Sequence, residues 1–158
     1  MRIGFGTDIH RLVESRKLML AGVSVPAPFG ELAHSDGDVV YHALMDAVLG
    51  ALALGDIGKH FPDNDDQYKN IDSSILVKKV VKLMKDNGYT INNVDITITL
   101  EKPKIKDCIM QMRDNISKLL NTDIKNISVK AGTNEGVGPL GKCEAVKAEA
   151  IVLLKEGE

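Results

Sequence analysis

The central segment of the chain reads Ala33-His34-Ser35-Asp36-Gly37-Asp38-Val39-Val40-Tyr41-His42-Ala43-Leu44-Met45-Asp46. Apolar pairs recur every four residues from Val39 onward, which is the pattern of a helix with one buried stripe. Ser35 and Asp38 have the spacing of a capping box, so we predict that the helix begins near Ser35. Asp38, His42 and Asp46 would then form one polar line on a largely buried helix. Because buried polar groups need partners, this line is either a set of core hydrogen bonds or part of a functional site.

The composition describes an ordinary globular protein. The 158 residues suit one domain spanning residues 1–158, and 44% of them are hydrophobic. A net charge of -2 argues against non-specific binding to nucleic acid or to an anionic membrane. The chain enters a patterned strand directly after Met1, and Cys108 and Cys143 form no disulfide framework. We therefore expect a cytoplasmic protein with free thiols.

The first strand should run from Arg2 to His10. Its alternation sends Ile3, Phe5 and Ile9 to one side and Asp8 and His10 to the other. The remaining periodic segments are a strand or short hairpin at Leu18–Pro26, a helix that Ser73 caps and that ends at Asn87 before Gly88, a strand at Val94–Glu101, a helix with Ile105, Ile109, Met112, Ile116 and Leu119 inward, a strand at Ile124–Ala131 and a strand at Glu144–Leu154.

This order of elements predicts an α+β fold. We expect a mixed or antiparallel sheet of four strands with the helices packed on one face. The other face would carry threonine, lysine, serine and aspartate side chains. It is too polar for a core and too regular for a free surface, so it could be a ligand site or a subunit interface.

Asp8, His10 and His42 together suggest a metal site. Two histidines and one carboxylate, with a fourth position open, suit Zn²⁺. Fe²⁺ and Mn²⁺ use the same ligand types and stay open as alternatives. A third interpretation is that the strand-end pair faces solvent and His42 is a satisfied core residue.

Two loops contain polar or glycine-rich sequence. Residues 55–66 form a long polar turn, which is either functional or a solvated acidic connector. Residues 132–141 are rich in glycine and could approach a phosphate closely. This second loop lacks the spacing of a P-loop or of a dinucleotide fingerprint, so it is a weak signal alone.

The motifs in combination resemble the 2-C-methyl-D-erythritol 2,4-cyclodiphosphate synthases of the non-mevalonate isoprenoid pathway. The matching pieces run in family order along the whole chain: RIGFGTDIH at 2–10, LAHSDGD at 32–38, HAL at 42–44, DA at 46–47, LGDIG at 54–58, FPD at 61–63, KPK at 102–104, KAGTNE at 130–135 and CEA at 143–145. The resemblance implies a phosphorus–oxygen lyase that assembles as a homotrimer around the free sheet face, with active sites between subunits.

The resemblance also implies roles for individual residues. Zn²⁺ would be bound by Asp8, His10 and His42, and Glu135 would help to bind a second divalent ion, Mg²⁺ or Mn²⁺. His34 and Thr133 would be catalytic. Substrate contacts are implied for Asp8, Ile9, His10, His34, Ser35, Asp56, Ile57, Gly58, Phe61, Pro62, Asp63, Asn64, Asp65, Leu100, Glu101, Lys102, Pro103, Lys104, Ile105, Lys106, Gly132, Thr133, Asn134, Glu135 and Lys142.

The implied reaction is an intramolecular phosphoryl transfer. The 2-phosphate of 4-diphosphocytidyl-2-C-methyl-D-erythritol 2-phosphate attacks the β-phosphorus, and CMP leaves. An anionic phosphate oxygen needs alignment and charge neutralisation rather than a general base. A zinc-dependent phosphate-ester hydrolase and a non-catalytic trimeric nucleotide-binding module are the alternatives.

The sequence departs from the family pattern at three positions. Gly132 replaces a common threonine, which predicts the loss of one hydroxyl contact to phosphate. Pro139 and Lys142 replace a phenylalanine and an arginine that often line the central cavity of the trimer. Because lysine cannot bind a diphosphate in the two-point manner of arginine, we expect this cavity not to hold an isoprenoid diphosphate.

Overall fold

The computed structural model describes residues 1–157. Its strands are β1 (Arg2–Val13), β2 (Leu18–Leu20), β3 (Val23–Val25), β4 (Gly30–Glu31), β5 (Tyr89–Thr99), β6 (Ile127–Gly132) and β7 (Ala145–Glu156). Its α-helices are α1 (Val39–Ala51), α2 (Ile57–His60), α3 (Ser73–Asp86), α4 (Ile109–Leu120) and α5 (Gly138–Gly141). Short 3₁₀ turns lie at Asp66–Tyr68, Lys106–Cys108 and Ile124–Asn126.

The main sheet is mixed and has five strands within residues 1–157, in the order β4-β1-β7-β5-β6. The β5–β6 pair is parallel and the other pairs are antiparallel. The mixed α+β class is therefore confirmed, but the prediction of four strands missed β4. This strand is only two residues long and pairs with the end of β1, so it carries no alternation that a sequence pattern could show. β2 and β3 form the hairpin expected at Leu18–Pro26.

Two glycines determine how closely α1 packs on β1. A Cβ atom at Gly4 would lie 1.9 Å from the Ala47 carbonyl oxygen, and one at Gly6 would lie 2.0 Å from the Ala43 carbonyl oxygen. Only glycine fits such an approach of helix backbone to strand backbone. Since side chains alternate along a strand, Asp8 and His10 lie on the same face of β1 as these glycines, toward α1.

The opposite face of β1 is apolar and exposed. Ile3, Phe5 and Ile9 are 72%, 57% and 54% exposed, and Phe5 pairs in register with Ile151 of β7. The same sheet face is polar on β5 and β6, where Asp95 and Lys130 form an ion pair at 2.7 Å. The predicted polar face thus has an apolar half that the sequence analysis did not assign.

The prediction that α1 begins near Ser35 is wrong. The helix begins at Val39, and its N-cap is Asp38, whose side chain accepts from the Tyr41 backbone N–H at 3.1 Å. Gly37 has a φ of 84°, which no α-helix accommodates. Asp38 also accepts from the backbone N–H groups of Ala21 and Gly22 at 2.9 and 2.7 Å. The Asp38 carboxylate therefore links the β2–β3 turn to the start of α1 by hydrogen bonds.

The later boundaries differ from the predictions by a few residues. Asp72 rather than Ser73 caps α3, because its side chain accepts from the Ser74 N–H at 2.8 Å. α3 ends before Gly88, whose φ is 80°. In α4, Met112, Ile116 and Leu120 are buried, and Leu119 is partly buried against the same core. A second 3₁₀ turn occupies residues 124–126, so β6 begins at Ile127.

The alternation predicted for the two long strands is confirmed. Val94, Ile96 and Ile98 of β5 are buried. So are the even-numbered residues 146–154 of β7. None of the helices within residues 1–157 has the length and apolar composition that crossing a bilayer requires.

Candidate active site

The strand β1 and the helix α1 bring three side chains to one point. Asp8 and His10 extend from the helix-facing side of β1, and His42 lies in the first turn of α1. The Asp8 Oδ2 atom lies 3.0 Å from His10 Nε2 and 3.1 Å from His42 Nδ1. The two imidazole rings meet edge to face with their centroids 5.1 Å apart. Each residue offers one ligand atom within 4.8 Å of the others, so the group could hold a metal ion.

Hydrogen bonds to groups outside the cluster orient both histidines. His10 Nδ1 lies 2.8 Å from the Gly37 carbonyl oxygen, to which it donates, so Nε2 is the ring nitrogen that faces Asp8. His42 Nε2 lies 3.1 Å from each of two hydroxyl oxygens, Ser35 Oγ and Ser73 Oγ. Metal-binding histidines commonly have such partners on their second nitrogen.

Asp8 and His10 change each other's pKa values. Burial raises the pKa of Asp8, but hydrogen bonds and charge from His10 and His42 outweigh burial and lower this pKa to about 2. Burial lowers the pKa of His10, but the hydrogen bond and charge of Asp8 raise it by more. The carboxylate of Asp8 therefore stays ionised, as a metal ligand must.

Two separations in the cluster are close to those between the ligand atoms of a zinc ion. Bonds of about 2.0–2.1 Å to zinc place neighbouring ligand atoms roughly 3.3 Å apart, and the separations from Asp8 Oδ2 are 3.0 and 3.1 Å. Within residues 1–157 the group contains three protein ligands, which leaves a fourth position for a substrate oxygen or water. The expected ligand set of Asp8, His10 and His42 is thus assembled, and it is consistent with a divalent metal.

A cavity of about 310 Å³ opens beside the cluster. Its wall includes Asp8, His10, Leu32, Ala33, His34, Ser35, His42, Ile57, Gly58, Phe61, Asp63, Tyr68 and Leu76. His34 is oriented by its Nε2 atom, which lies 3.0 Å from the Asp65 carbonyl oxygen. Asp56 caps α2 by accepting from the Lys59 N–H at 3.0 Å, and this short helix presents Ile57 and Gly58 to the cavity.

A second cavity of about 200 Å³ lies at the end of β5. Residues 100, 101, 103–106 and 131–133 line it. Glu101 fixes the adjoining glycine-rich loop, because its carboxylate accepts from the Asn134 and Gly136 N–H groups at 3.0 and 3.1 Å. Within residues 1–157 the two cavities share no lining residue.

Several expected site residues lie outside both cavity walls. Ile9 lies on the opposite face of β1, and Glu135 and Lys142 are exposed. Glu135 is not part of the metal-ligand group found in residues 1–157. The others that line neither cavity are Asp56, Pro62, Asn64, Asp65, Lys102 and Asn134.

Some residues of the first cavity have no signal in the sequence that marks them as site residues. Leu32, Ala33, Tyr68 and Leu76 contribute to its wall, and Ser73 contacts His42. Leu76 was predicted to face the core from α3. Its apolar side chain looks the same in the sequence whether it packs in the core or also lines a cavity. Ser73 was assigned to a cap because serine is common at helix starts.

The chain has close similarity to known proteins. It matches the model of the YgbB family over residues 1–155. It is 53% identical over 156 residues to a 2-C-methyl-D-erythritol 2,4-cyclodiphosphate synthase of Brachyspira hyodysenteriae, covering 99% of both chains. The identity to the enzyme of that name from Finegoldia magna is 54% over 156 residues, covering 99% of this chain and 98% of the relative.

A solved structure shares the fold. The CDP-bound form of a 2-C-methyl-D-erythritol 2,4-cyclodiphosphate synthase aligns with a TM-score of 0.90 and 38% identity, covering 98% of this chain and 100% of that chain.

Proposed function

Because the chain belongs to the YgbB family and is similar over its full length to curated 2-C-methyl-D-erythritol 2,4-cyclodiphosphate synthases, we infer that it is a phosphorus–oxygen lyase of the non-mevalonate pathway. It converts 4-diphosphocytidyl-2-C-methyl-D-erythritol 2-phosphate to 2-C-methyl-D-erythritol 2,4-cyclodiphosphate and releases CMP. The observation that carries this inference is the cluster of Asp8, His10 and His42 in the wall of a cavity that also contains His34 and Ser35.

The second cavity supports a site for the cytidine nucleotide. A relative binds CDP, and residues 100, 101, 103–106 and 131–133 line a cavity of about 200 Å³ here. We propose that this part of the chain holds the cytidine diphosphate, with the Thr133 hydroxyl and the backbone of the glycine-rich loop donating to phosphate oxygens. The first cavity would hold the methylerythritol phosphate against Ile57, Gly58 and Phe61.

The reaction exchanges one phosphorus–oxygen bond for another. An oxygen of the 2-phosphate forms a bond to the β-phosphorus, the bond from that phosphorus to the bridging oxygen breaks, and CMP departs with the bridging oxygen. When bound, zinc at the triad and a second divalent ion, Mg²⁺ or Mn²⁺, near Glu135 would supply positive charge to the phosphate oxygens. His34 and Thr133 would donate hydrogen bonds as charge develops.

We propose that the protein is a homotrimer whose active sites lie between subunits. The exposed apolar half of the sheet, with Ile3, Phe5 and Ile9 on β1 and Ile151 on β7, supports burial of this face against other copies of the chain. The separation of the metal cluster and the nucleotide loop into two cavities would then allow one subunit to supply each half. The free thiols of Cys108 and Cys143 favour a reducing, cytoplasmic location.

The function is tested by product analysis. The protein should be incubated with the cytidyl substrate, Zn²⁺ and Mg²⁺ and followed by phosphorus NMR. We expect two coupled resonances of a cyclic diphosphate together with CMP. Linear methylerythritol phosphates would indicate a zinc-dependent phosphate-ester hydrolase, and an unchanged substrate that nevertheless binds would indicate a nucleotide-binding module.

A further inference from the structure

Ser73 and Asp36 lie directly behind the ligand cluster. Ser73 is the first residue of α3 and is fully buried. Its Oγ atom lies 2.6 Å from Asp36 Oδ1 and 3.1 Å from His42 Nε2. Its backbone N–H also donates to Asp36 Oδ2 at 3.1 Å. These contacts link a carboxylate, a hydroxyl and a metal-facing imidazole in one chain of hydrogen bonds.

The direction of each hydrogen bond follows from what the groups can donate. Both Asp36 oxygens face donors: Oδ1 also accepts from the Asp38 N–H at 3.0 Å. A carboxylate in this setting only accepts, so the single hydroxyl proton of Ser73 is donated to Asp36. The Ser73 oxygen then faces His42 with a lone pair, and the His42 Nε2 atom must carry the proton. When a metal ion is bound, the neutral imidazole protonated on Nε2 has its lone pair on Nδ1, the atom on the Asp8 side of the ring that would bind the ion.

The same reasoning gives the direction in which the Ser35 hydroxyl donates its proton. Its oxygen accepts from the Gly37 N–H at 3.2 Å and lies 3.1 Å from His42 Nε2. Because that nitrogen already carries a proton, the Ser35 hydroxyl cannot donate to it. Its proton is left to donate into the cavity, whose wall includes Ser35.

We propose that Asp36 and Ser73 form a hydrogen-bond relay that holds His42 in the tautomer needed for metal binding and turns the Ser35 hydroxyl toward an anionic oxygen of the substrate. Both are positioning residues, since they act through His42 and Ser35. The inference rests on the proposed metal site of the proposed function. It adds a role for α3, which otherwise contributes only Leu76 to the cavity wall.

The test compares two neighbouring serines of α3. Ser73→Ala removes the relay hydroxyl, and alanine is well tolerated in a helix. Ser74→Ala is the matched control, because it removes a hydroxyl one residue away that makes no contact with the cluster. Zinc-loaded proteins should be titrated with a chelator of known affinity. We expect Ser73→Ala to bind zinc roughly 10–100-fold more weakly than the wild type and Ser74→Ala to match the wild type.

A second measurement reads the tautomer itself. Long-range proton–nitrogen NMR of the zinc-loaded protein should show a hydrogen-bonded His42 Nε2–H that exchanges slowly. This resonance should shift and exchange faster in Ser73→Ala and stay unchanged in Ser74→Ala. Asp36→Asn replaces one acceptor oxygen by an amide and should shift the resonance in the same direction, so the relay remains testable if Ser73→Ala folds poorly.

The outcomes separate the relay from the function. A wild-type protein that binds zinc and forms the cyclic product, with Ser73→Ala equal to it in zinc affinity and in the Nε2–H resonance, would overturn the relay alone. A wild-type protein that binds no zinc would overturn the metal site on which the relay rests. Weaker zinc binding together with the altered resonance in Ser73→Ala supports the relay.

Discussion

Asp46 Oδ1 accepts a hydrogen bond from the backbone N–H of Ile57 at 2.8 Å. Asp46 lies one turn after His42 on α1, and Ile57 begins the short helix that contributes to the cavity wall. The helix that carries His42 therefore also fixes the loop for which we propose contact with the methylerythritol group. This accounts for two positions of the polar line seen in the sequence, since His42 faces the cluster and Asp46 faces the loop.

Replacing Asp46 should impair substrate binding without removing the metal. In Asp46→Ala the Ile57 N–H loses its acceptor, and a hydrogen bond of this kind is worth about 0.5–1.5 kcal/mol. We expect KM to rise by up to about tenfold while zinc content stays at the wild-type level. Asp46→Asn keeps an acceptor oxygen and should resemble the wild type. Equal KM values for the alanine and asparagine variants would contradict this role of the hydrogen bond.

A methyl group at Gly6 should destabilise the whole fold. The added Cβ would lie 2.0 Å from the Ala43 carbonyl oxygen and 2.7 Å from the Ala47 nitrogen, and neither backbone atom can move without displacing α1. Overpacking of this kind costs about 1–3 kcal/mol or more, which chemical denaturation would measure. Gly132→Ala is the stability control, since no atom lies within 4 Å of its added Cβ. A similar loss in both variants would argue that glycine flexibility, rather than close packing, matters at Gly6.

Glu31 should make the protein less stable as the pH rises. Its side chain is fully buried, and burial, with the nearby charge of Asp38, raises its pKa to about 9 despite a hydrogen bond from the Met19 N–H. The folded state therefore holds a proton that the unfolded state, with a pKa near 4.5, releases. The stability contribution is complete below pH 4.5 and is lost progressively up to pH 9.

The variant Glu31→Gln removes this titration while keeping the side-chain shape. The free energy of unfolding of the variant, minus that of the wild type, should grow by roughly 1–3 kcal/mol between pH 6 and 8. Denaturation at several pH values with zinc held constant would measure it, and titration of the metal ligands cancels in the difference. Parallel pH profiles for the two proteins would mean that Glu31 is ionised in the folded state.

His42→Ala should lose most bound zinc together with activity, because one of three protein ligands is removed. Wild-type protein should carry about one Zn²⁺ per chain, as elemental analysis would show. Full zinc retention by His42→Ala would count against this site.

Light scattering should give a trimer for the active sample. A monomeric mass in an active sample would refute active sites shared between subunits.

A His42→Ala chain and a Thr133→Ala chain should complement each other in mixed trimers. Each variant alone should be nearly inactive, since losing a positioned transition-state donor costs on the order of 10²–10³ in rate. Mixed trimers would contain some interfaces with both halves intact, which should restore a fraction of CMP release. The two variants should be refolded together and their mixing verified by mass spectrometry. Verified mixed trimers that stay inactive, while refolded wild type recovers, would place both halves of the site in one chain.

The alternating strands and the helical stripes were predictable because each rests on a period that burial imposes directly. The meeting of Asp8, His10 and His42 was likewise open to prediction from residue types at a strand end and on a helix. The start of α1 was not, because Ser35 has the local appearance of a cap and only the positive φ of Gly37 excludes it. The relay through Ser73 joins positions 37 residues apart, and no local pattern reports a contact across such a distance.

The two faces of β1 leave this strand no tolerance for a change in length. Deleting one residue before Asp8 would move all the side chains on one side of the deletion to the opposite face of the sheet, since the side-chain period is two. Isoleucine or phenylalanine would then meet the α1 backbone where Gly4 and Gly6 now lie, or Asp8 and His10 would turn away from His42. We expect natural insertions and deletions to avoid residues 2–10 and to accumulate in the turn at residues 14–17, where the chain leaves the sheet.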